Sequence, residues 1–156
     1  MKRFIFTLVS AFFFFGCSDE EPTTSCIACT NPLLDSSAVV IVTYIIDGDT
    51  FEFIERKEDI KVRVLGLDCF ETKHGSRLTE QALERGISED SALALGFQAK
   101  CLCDSLLMNE QVELYRDSVQ GSFDNFGRLL RDVYFTKGGR HISYRDTIRT
   151  RGLSFE

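Results

Sequence analysis

The chain lacks several features that would define its class at once. It has no apolar run of the roughly 20 residues that a membrane-spanning helix needs, since its apolar N-terminal segment covers only residues 4–15. It also has no internal repeat and no low-complexity segment. His74 and His141 are its only histidines and have no suitably spaced partners, which disfavours a Ser/His/Asp triad or a two-histidine metal site. The length of 156 residues fits one compact domain after a short leader.

The chain also lacks the positive charge typical of proteins that bind nucleic acids through many phosphate contacts. Its formal net charge is −6, and loss of Lys2 and Arg3 with a leader brings the charge to −8. Binding to nucleic acid must therefore depend on a local positive site and a bound metal ion, rather than on the field of the whole protein.

The N-terminus has the pattern of a bacterial lipoprotein signal. Lys2 and Arg3 precede the apolar residues 4–15. Residues 14–17 read Phe-Phe-Gly-Cys and resemble a lipobox, although Phe14 stands where an aliphatic residue is usual. We therefore predict that Cys17 carries a lipid that holds the protein at the membrane. The alternative is a plain secretory signal in which Cys17 is incidental.

These features divide the chain into three predicted parts. Residues 1–16 are the lipoprotein signal peptide, residues 17–37 a polar, acidic and flexible tether, and residues 38–156 the folded domain. The predicted location is extracytoplasmic, at the bacterial cell envelope and on its outer membrane.

Six cysteines in a chain that leaves the cytoplasm favour disulfides. Lipidation would consume Cys17 and leave an odd number, so at least one thiol stays free or pairs between molecules. A zinc site of Cys26, Cys29, Cys101 and Cys103 is disfavoured, because residues two apart on a helix point about 200° apart. Disulfides between the 26/29 pair and the 101/103 region, or within residues 26–29, are preferred, with the connectivity open.

The pattern of apolar residues predicts five strands. Asp47 and Gly48 are a strong signal for a tight hairpin between the first two of these strands. The strands are expected at residues 39–46, around Phe51 and Phe53, at residues 60–67, at residues 112–114 and at residues 128–135. Periodicity by itself supports a small β-barrel with helices.

Three helices are predicted from capping and termination signals. Thr79 caps a short helix that Gly86 ends, and Ser88 caps a longer one. Residues 143–151 form a short final helix. In the longer helix the apolar residues expected near one face are Leu93, Phe97, Cys101 and Met108. Gly96 within it costs about 1 kcal/mol relative to alanine, which indicates close packing there.

Three separate stretches carry residues suited to phosphodiester cleavage. Residues 47–50 read Asp-Gly-Asp-Thr, residues 63–73 read Arg-Val-Leu-Gly-Leu-Asp-Cys-Phe-Glu-Thr-Lys, and residues 124–128 read Asp-Asn-Phe-Gly-Arg. They supply carboxylates for a hard cation, two guanidinium groups for a phosphate, and a further carboxylate to activate water. Each stretch alone is weak evidence for such a site. The interpretation depends on the presence of all three.

In residue types and order, these stretches resemble the thermonuclease (staphylococcal nuclease) family over about residues 39–153. The resemblance implies a mainly β fold with α: a five-stranded OB-fold barrel with a helix after strand 3 and a short C-terminal helix. It implies that Asp49, Asp68 and the backbone carbonyl of Cys69 bind Ca²⁺. It further implies that Arg63 and Arg128 bind the phosphate and that Glu71 is the general base.

The expected activity is Ca²⁺-dependent hydrolysis of DNA and RNA by a monomer, with little sequence preference and 3′-phosphate products. Several departures from the family pattern bear on this expectation. Cys69 replaces threonine, Phe70 replaces proline and Phe126 replaces tyrosine, while residues 73–88 form a longer loop. No counterpart of the family's last helix and its base-stacking tyrosines is expected. The alternatives are a catalytically inactive OB-fold lipoprotein that binds nucleic acid and, more weakly, a structural lipoprotein of the envelope.

Overall fold

The computed structural model of the chain describes residues 37–155. The predicted signal peptide, Cys17, which is predicted to carry the lipid, and the cysteines Cys26 and Cys29 lie outside these residues. The strands are β1 (Ala38–Ile45), β2 (Thr50–Glu55), β3 (Glu58–Val64), β4 (Gln111–Tyr115), β5 (Leu129–Lys137) and β6 (Arg140–Ser143). The helices are α1 (Ser76–Arg85), α2 (Glu89–Leu107) and α3 (Tyr144–Thr150).

Five strands close into a barrel. Their order is β3-β2-β1-β4-β5, and a parallel pairing of β3 with β5 joins the two ends. All other neighbouring strands are antiparallel, and β6 lies outside the barrel, paired with β5. This architecture confirms the predicted OB-fold barrel with helices after strand 3 and a short C-terminal helix. The sixth strand was not predicted.

The barrel interior is filled from alternate positions of the strands. Phe51 and Phe53 of β2 are buried, as are Val62 and Val64 of β3, so both strands follow the period of two that the sequence shows. The third strand ends at Val64, not at residue 67 as predicted. Gly66 lies in the turn that follows β3. Its φ of 61° ends the extended backbone of the strand.

The helix ends follow their capping signals with one exception. Ser88 accepts a hydrogen bond from the backbone N–H of Ser91 and caps α2, and Gly86 ends α1 in the left-handed conformation. The prediction that Thr79 caps α1 was wrong, because the helix begins one turn earlier, after Gly75. The hydroxyl of Thr79 instead donates to the carbonyl of Gly75 within the first turn.

The buried face of α2 differs from the prediction. Phe97 and Cys101 are exposed, and Leu93 and Met108 are only partly buried. The residues that face the protein are mostly small, namely Ala92, Gly96, Ala99, Cys103, Leu106 and Leu107. Small side chains are required because α2 passes close to backbone.

Gly96 shows how close this approach is. A Cβ at this position would lie 2.7 Å from the backbone carbonyl oxygen of Phe70 and still closer to that of Glu71. Real Cβ contacts are not this short, so only glycine fits here. The close packing that the sequence indicated at Gly96 is therefore confirmed, and its partner is the loop that carries Glu71.

The described cysteines Cys69, Cys101 and Cys103 are all free thiols in residues 37–155. Cys101 is exposed and Cys103 is fully buried, so the two point to different sides of α2, as expected for residues two apart on a helix. This separation argues further against a zinc site that uses both. The predicted pairings involve Cys26 and Cys29, which lie outside the described residues.

Of the helices described between residues 37 and 155, none combines the length and apolarity needed to cross a membrane.

Gly96→Ala should destabilise the protein, although alanine is ordinarily the better helix former. We expect a loss of about 1–3 kcal/mol in the free energy of unfolding, because the new methyl group must displace the loop backbone. Urea unfolding followed by circular dichroism measures this loss. Gly75→Ala is the matched control, since a Cβ there meets nothing within 4 Å and the φ of 165° is extended backbone. Equal stability of the Gly96→Ala variant and the wild type would show that the backbone of the loop can shift without a measurable cost in free energy.

Candidate active site

The three sequence stretches meet at one cleft of about 600 Å³. It is lined by Asp47, Lys61, Arg63, Asp68, Glu71, Arg77, Phe126 and Arg128. The parallel pairing of β3 and β5 accounts for this convergence, because it sets Arg63 beside Leu130, two residues after Arg128. The predicted Arg63, Glu71, Arg128 and Asp68 thus share a cleft, whereas Asp49 and Cys69 are buried behind it.

Asp49 lies in the turn of the β1–β2 hairpin, directly before β2, and is only 1% exposed. One carboxylate oxygen accepts hydrogen bonds from the Thr50 hydroxyl at 2.9 Å and from Arg63 at 2.5 Å. The other accepts from the backbone N–H of Cys69 at 2.7 Å. Burial raises the pKa of Asp49 well above its ordinary value and the neighbouring Asp47 adds to the rise, while Arg63 opposes it.

The Arg63 guanidinium links two of the predicted metal ligands. One nitrogen contacts Asp49 and the other donates to Asp68 at 2.7 Å. Because Arg63 projects from β3 and Asp68 follows the turn at the end of that strand, a single side chain fixes the turn against the hairpin. The arginine predicted to bind phosphate is therefore neutralised internally by two carboxylates.

Arg77 is a cleft residue that the sequence interpretation missed. It comes from α1, within the loop of unusual length, and donates to the second oxygen of Asp68 at 2.8 Å. Its guanidinium also lies over the ring of Phe155, 5.6 Å from the centroid. No sequence motif marks such a residue. Only the helical spacing of residues 76–85 could have indicated which charged side chains of this helix share one face.

The atoms near the cleft that could coordinate a metal are all oxygens, which hard divalent cations prefer. Asp47 and Asp68 line the cleft, Asp49 lies behind Arg63, and the carbonyl of Cys69 adjoins Asp68, so every candidate ligand atom is oxygen. The Cys69 carbonyl accepts a hydrogen bond from Gln81 at 3.0 Å and retains a second lone pair. Within residues 37–155, however, no three acidic, histidine or cysteine side chains are grouped closely enough to hold a metal as they stand. A cation bound here would share Asp49 and Asp68 with the guanidinium of Arg63.

Arg128 is positioned by the turn at residues 124–128. Asp124 accepts from the backbone N–H groups of Phe126 and Arg128, and its second oxygen accepts from the Arg128 side chain at 2.6 Å. Burial opposes ionisation of Asp124, but these donors hold its pKa below the ordinary value. A further guanidinium nitrogen of Arg128 contacts the Thr50 hydroxyl at 3.3 Å. Thr50 therefore joins the first and third stretches.

Phe126 is 85% exposed at the rim of the cleft. The Arg128 guanidinium lies over its ring, 5.4 Å from the centroid. An exposed ring beside a guanidinium can stack with a nucleobase without a hydroxyl group, so replacement of tyrosine by phenylalanine leaves this capacity in place.

Glu71 is half-buried and has the electrostatic setting of a proton acceptor. Burial raises its pKa above the ordinary value, and Asp47 and Asp68 raise it further, against the lowering effects of Arg63 and Arg77. A carboxylate with a raised pKa takes a proton from water more readily near neutral pH.

The Cys69 thiol beside the site is shielded. Its side chain is buried, and this burial, with Asp49 and Asp47 nearby, raises the pKa of the thiol well above its usual range. Since the thiolate is the reactive form, oxidation of Cys69 is disfavoured. His74 and His141 are both exposed, which confirms that they are surface histidines.

A scan against protein-family models finds no match to this chain, and a search of the curated proteins also finds none. The class that the fold and the cleft define is an OB-fold barrel with a carboxylate- and guanidinium-lined cleft at one end. The resemblance to the thermonuclease family rests on the motif residues of the sequence alone.

Arg63→Met should destabilise the protein by about 2–4 kcal/mol, because it leaves the buried Asp49 carboxylate without its cation. Since burial already raises the pKa of Asp49, loss of Arg63 raises it further, and the variant should take up a proton there on folding. The deficit should therefore be largest above the raised pKa of Asp49 and shrink as the pH falls through it, because both folded proteins then carry the proton.

Urea unfolding at several pH values measures this trend. Arg77→Met is the matched control, because Arg77 also pairs with Asp68 but its side chain is 47% exposed. Its removal should cost no more than about 1 kcal/mol. A deficit in Arg63→Met that is equally large at acidic and neutral pH would mean that Asp49 does not depend on Arg63 for its charge.

Proposed function

We propose that this protein hydrolyses phosphodiester bonds in DNA and RNA with little sequence specificity, as a Ca²⁺-dependent nuclease of the thermonuclease type that leaves 3′-phosphate ends. The observation that carries the proposal is that Arg63, Glu71 and Arg128, from stretches up to 65 residues apart in the chain, line one cleft. A cleft that combines two guanidinium groups with a half-buried carboxylate suits a substrate with a single dispersed negative charge.

In this proposal Arg63 and Arg128 receive the scissile phosphate. A planar guanidinium binds two phosphate oxygens at once, and charge that builds up on these oxygens in the transition state strengthens the interaction. Both arginines pair with carboxylates in the free protein, Arg63 with Asp49 and Asp68, and Arg128 with Asp124. Their side chains are therefore held near the cleft before the substrate arrives.

Glu71 takes a proton from the attacking water. It lines the same cleft as both arginines, and its raised pKa suits this role near neutral pH. Proton removal makes water a competent nucleophile, and its attack on phosphorus expels the 5′ oxygen. Phe126 stacks with a base next to the scissile bond.

Ca²⁺ would be held by Asp49 and Asp68 with the Cys69 carbonyl, and Asp47 lines the same cleft. When bound it supplies positive charge to the phosphate and lowers the pKa of a bound water. The proposal also includes the location: a lipid on Cys17 would keep the enzyme on the outer membrane at the cell envelope, as a monomer that meets extracellular nucleic acid.

The second candidate is an OB-fold lipoprotein that binds nucleic acid without cleaving it. One observation favours it: both oxygens of Asp49 already accept hydrogen bonds within the protein. A site fixed in this state would bind phosphate through Arg128 and Lys61 but take no metal. The two candidates differ in whether added Ca²⁺ produces cleavage.

The purified protein should cleave plasmid DNA, single-stranded DNA and RNA in Ca²⁺ and leave them intact in EDTA. We expect activity to need millimolar-range Ca²⁺, because a site with few protein ligands and several waters is weak. Agarose gels measure cleavage, and gel-shift experiments on the same samples measure binding. Binding without cleavage at any Ca²⁺ concentration would support the second candidate, and full cleavage in EDTA would exclude the metal requirement.

Glu71→Gln should lower kcat on the order of 10²-fold or more with little change in substrate affinity, because it keeps the shape but removes the base. The acid limb of the wild-type kcat/KM profile should lie above the ordinary glutamate range near about pH 4.3, since activity is lost as the pH falls through the raised pKa. The Glu71→Gln profile should lack this limb.

Arg128→Ala should lower kcat by a similar factor, because it removes charge stabilisation of the transition state. Initial rates on a fluorogenic single-stranded DNA measure both variants. Glu84→Gln and Arg140→Ala are matched controls, since both residues are exposed and outside the cleft. Near-normal turnover in either cleft variant would remove that residue from the proposed mechanism.

A further inference from the structure

The loop at residues 68–71 carries the proposed base but has little regular structure to fix it. Its Phe70 replaces the proline that the family resemblance leads one to expect, so the rigid φ angle of proline is absent. Asp68 and Cys69 are nevertheless anchored. The backbone N–H of Phe155 donates to the Asp68 carbonyl at 2.6 Å, and Asp49 accepts from the Cys69 N–H.

Gln81 of α1 anchors the rest of this loop. Its side chain is fully buried, and its amide nitrogen donates to the carbonyl of Cys69 at 3.0 Å. Its amide oxygen accepts from the backbone N–H of Glu71, also at 3.0 Å. One side chain thus holds the backbone on both sides of Phe70.

The opposite side of the loop is closed by α2. Gly96 allows the backbone of this helix to approach the carbonyl oxygens of Phe70 and Glu71. The ring of Phe70 is buried and meets Phe155 edge-on, with centroids 5.5 Å apart. The backbone of Glu71 is therefore fixed between a hydrogen-bonding side chain on α1 and a tightly packed turn of α2.

We propose that Gln81 is a positioning residue that fixes the backbone of Glu71 so that its carboxylate faces the cleft. This role replaces the rigidity that proline would supply at position 70. The inference rests on the proposed function, because it assigns Glu71 the part of the base. A buried amide costs free energy unless both its polar atoms are bonded, and here both are used by the loop that carries the base.

The competing explanation is that Gln81 merely satisfies buried polar groups and stabilises the fold. The two explanations differ in kinetics. A purely stabilising residue lowers the amount of folded enzyme, whereas a positioning residue lowers the turnover of enzyme that is folded. A positioning residue also loses its effect once the side chain that it positions has been disabled.

Gln81→Met keeps the length of the side chain but forms neither hydrogen bond. We expect kcat per folded molecule to fall about tenfold or more, with KM changed by less than about twofold. In a Glu71→Gln background the same substitution should change kcat by less than about twofold. Gln81→Asn, which is polar but too short to reach both groups, should behave like Gln81→Met. Gln98→Met, at an exposed position on α2, is the matched control.

A second measurement does not depend on activity. In wild-type protein the amide hydrogen of Glu71 should exchange slowly with solvent, and Gln81→Met should accelerate this exchange about tenfold or more. Amides of Val62 and Leu114 in the barrel report global opening, so the acceleration at Glu71 should exceed any change in exchange at these two amides. NMR-detected hydrogen exchange on the same proteins provides these rates.

The proposal is overturned if folded Gln81→Met and Gln81→Asn retain wild-type kcat, or if their losses are the same with and without Glu71. It is also overturned if exchange of the Glu71 amide is unchanged. Failure of the proposed function has a different signature, since the wild-type protein itself would then not cleave DNA in Ca²⁺. Acceleration of Glu71 exchange in that case would still support the anchoring of the loop by Gln81, without a role in turnover.

Discussion

The parallel pairing of β3 with β5 is the constraint on which the rest of the structure depends. It closes the barrel, and it joins strands whose residues lie more than 60 positions apart in the chain. Because Arg63 pairs with Leu130 across this seam, the turn before β5 brings Arg128 to the barrel end where the β1–β2 hairpin and the loop after β3 also lie. The cleft is thus a direct consequence of barrel closure. Without it, the turn before β5 would not lie beside the hairpin and the loop.

Charge within the cleft is balanced locally and differs from that of the whole chain. Four basic side chains line it, Lys61, Arg63, Arg77 and Arg128, against the acidic Asp47, Asp68 and Glu71. Asp49 and Asp124 lie against two of these guanidinium groups, so positive and negative charges nearly balance in the free protein. The internal ion pairs hold the guanidinium groups in place, but a ligand must compete with the carboxylates for them.

Helix α1 holds the loop that carries Glu71. The ring of Phe70 in this loop has a buried partner in Phe155. Gln81 bonds the backbone on both sides of this ring through two hydrogen bonds, and Gly96 of α2 adds the packing on the other side. The long loop, the glycine in a helix and the phenylalanine at position 70, which look unrelated in the sequence, are therefore parts of one arrangement around Glu71.

By itself the sequence determined the local features: the approximate positions of five of the six strands, the hairpin at Asp47 and Gly48, the N-cap of α2, and the identity of the motif residues that line the cleft. These follow from periodicity, turn chemistry and residue type, which act over a few neighbouring residues. Only the tertiary structure decided which face of α2 is buried, that Arg63 bridges Asp49 and Asp68, and that Gln81 holds the loop of Glu71. These contacts depend on barrel closure and on the packing of helices against a loop. No local pattern encodes them, because the partners are brought together only when the whole domain folds.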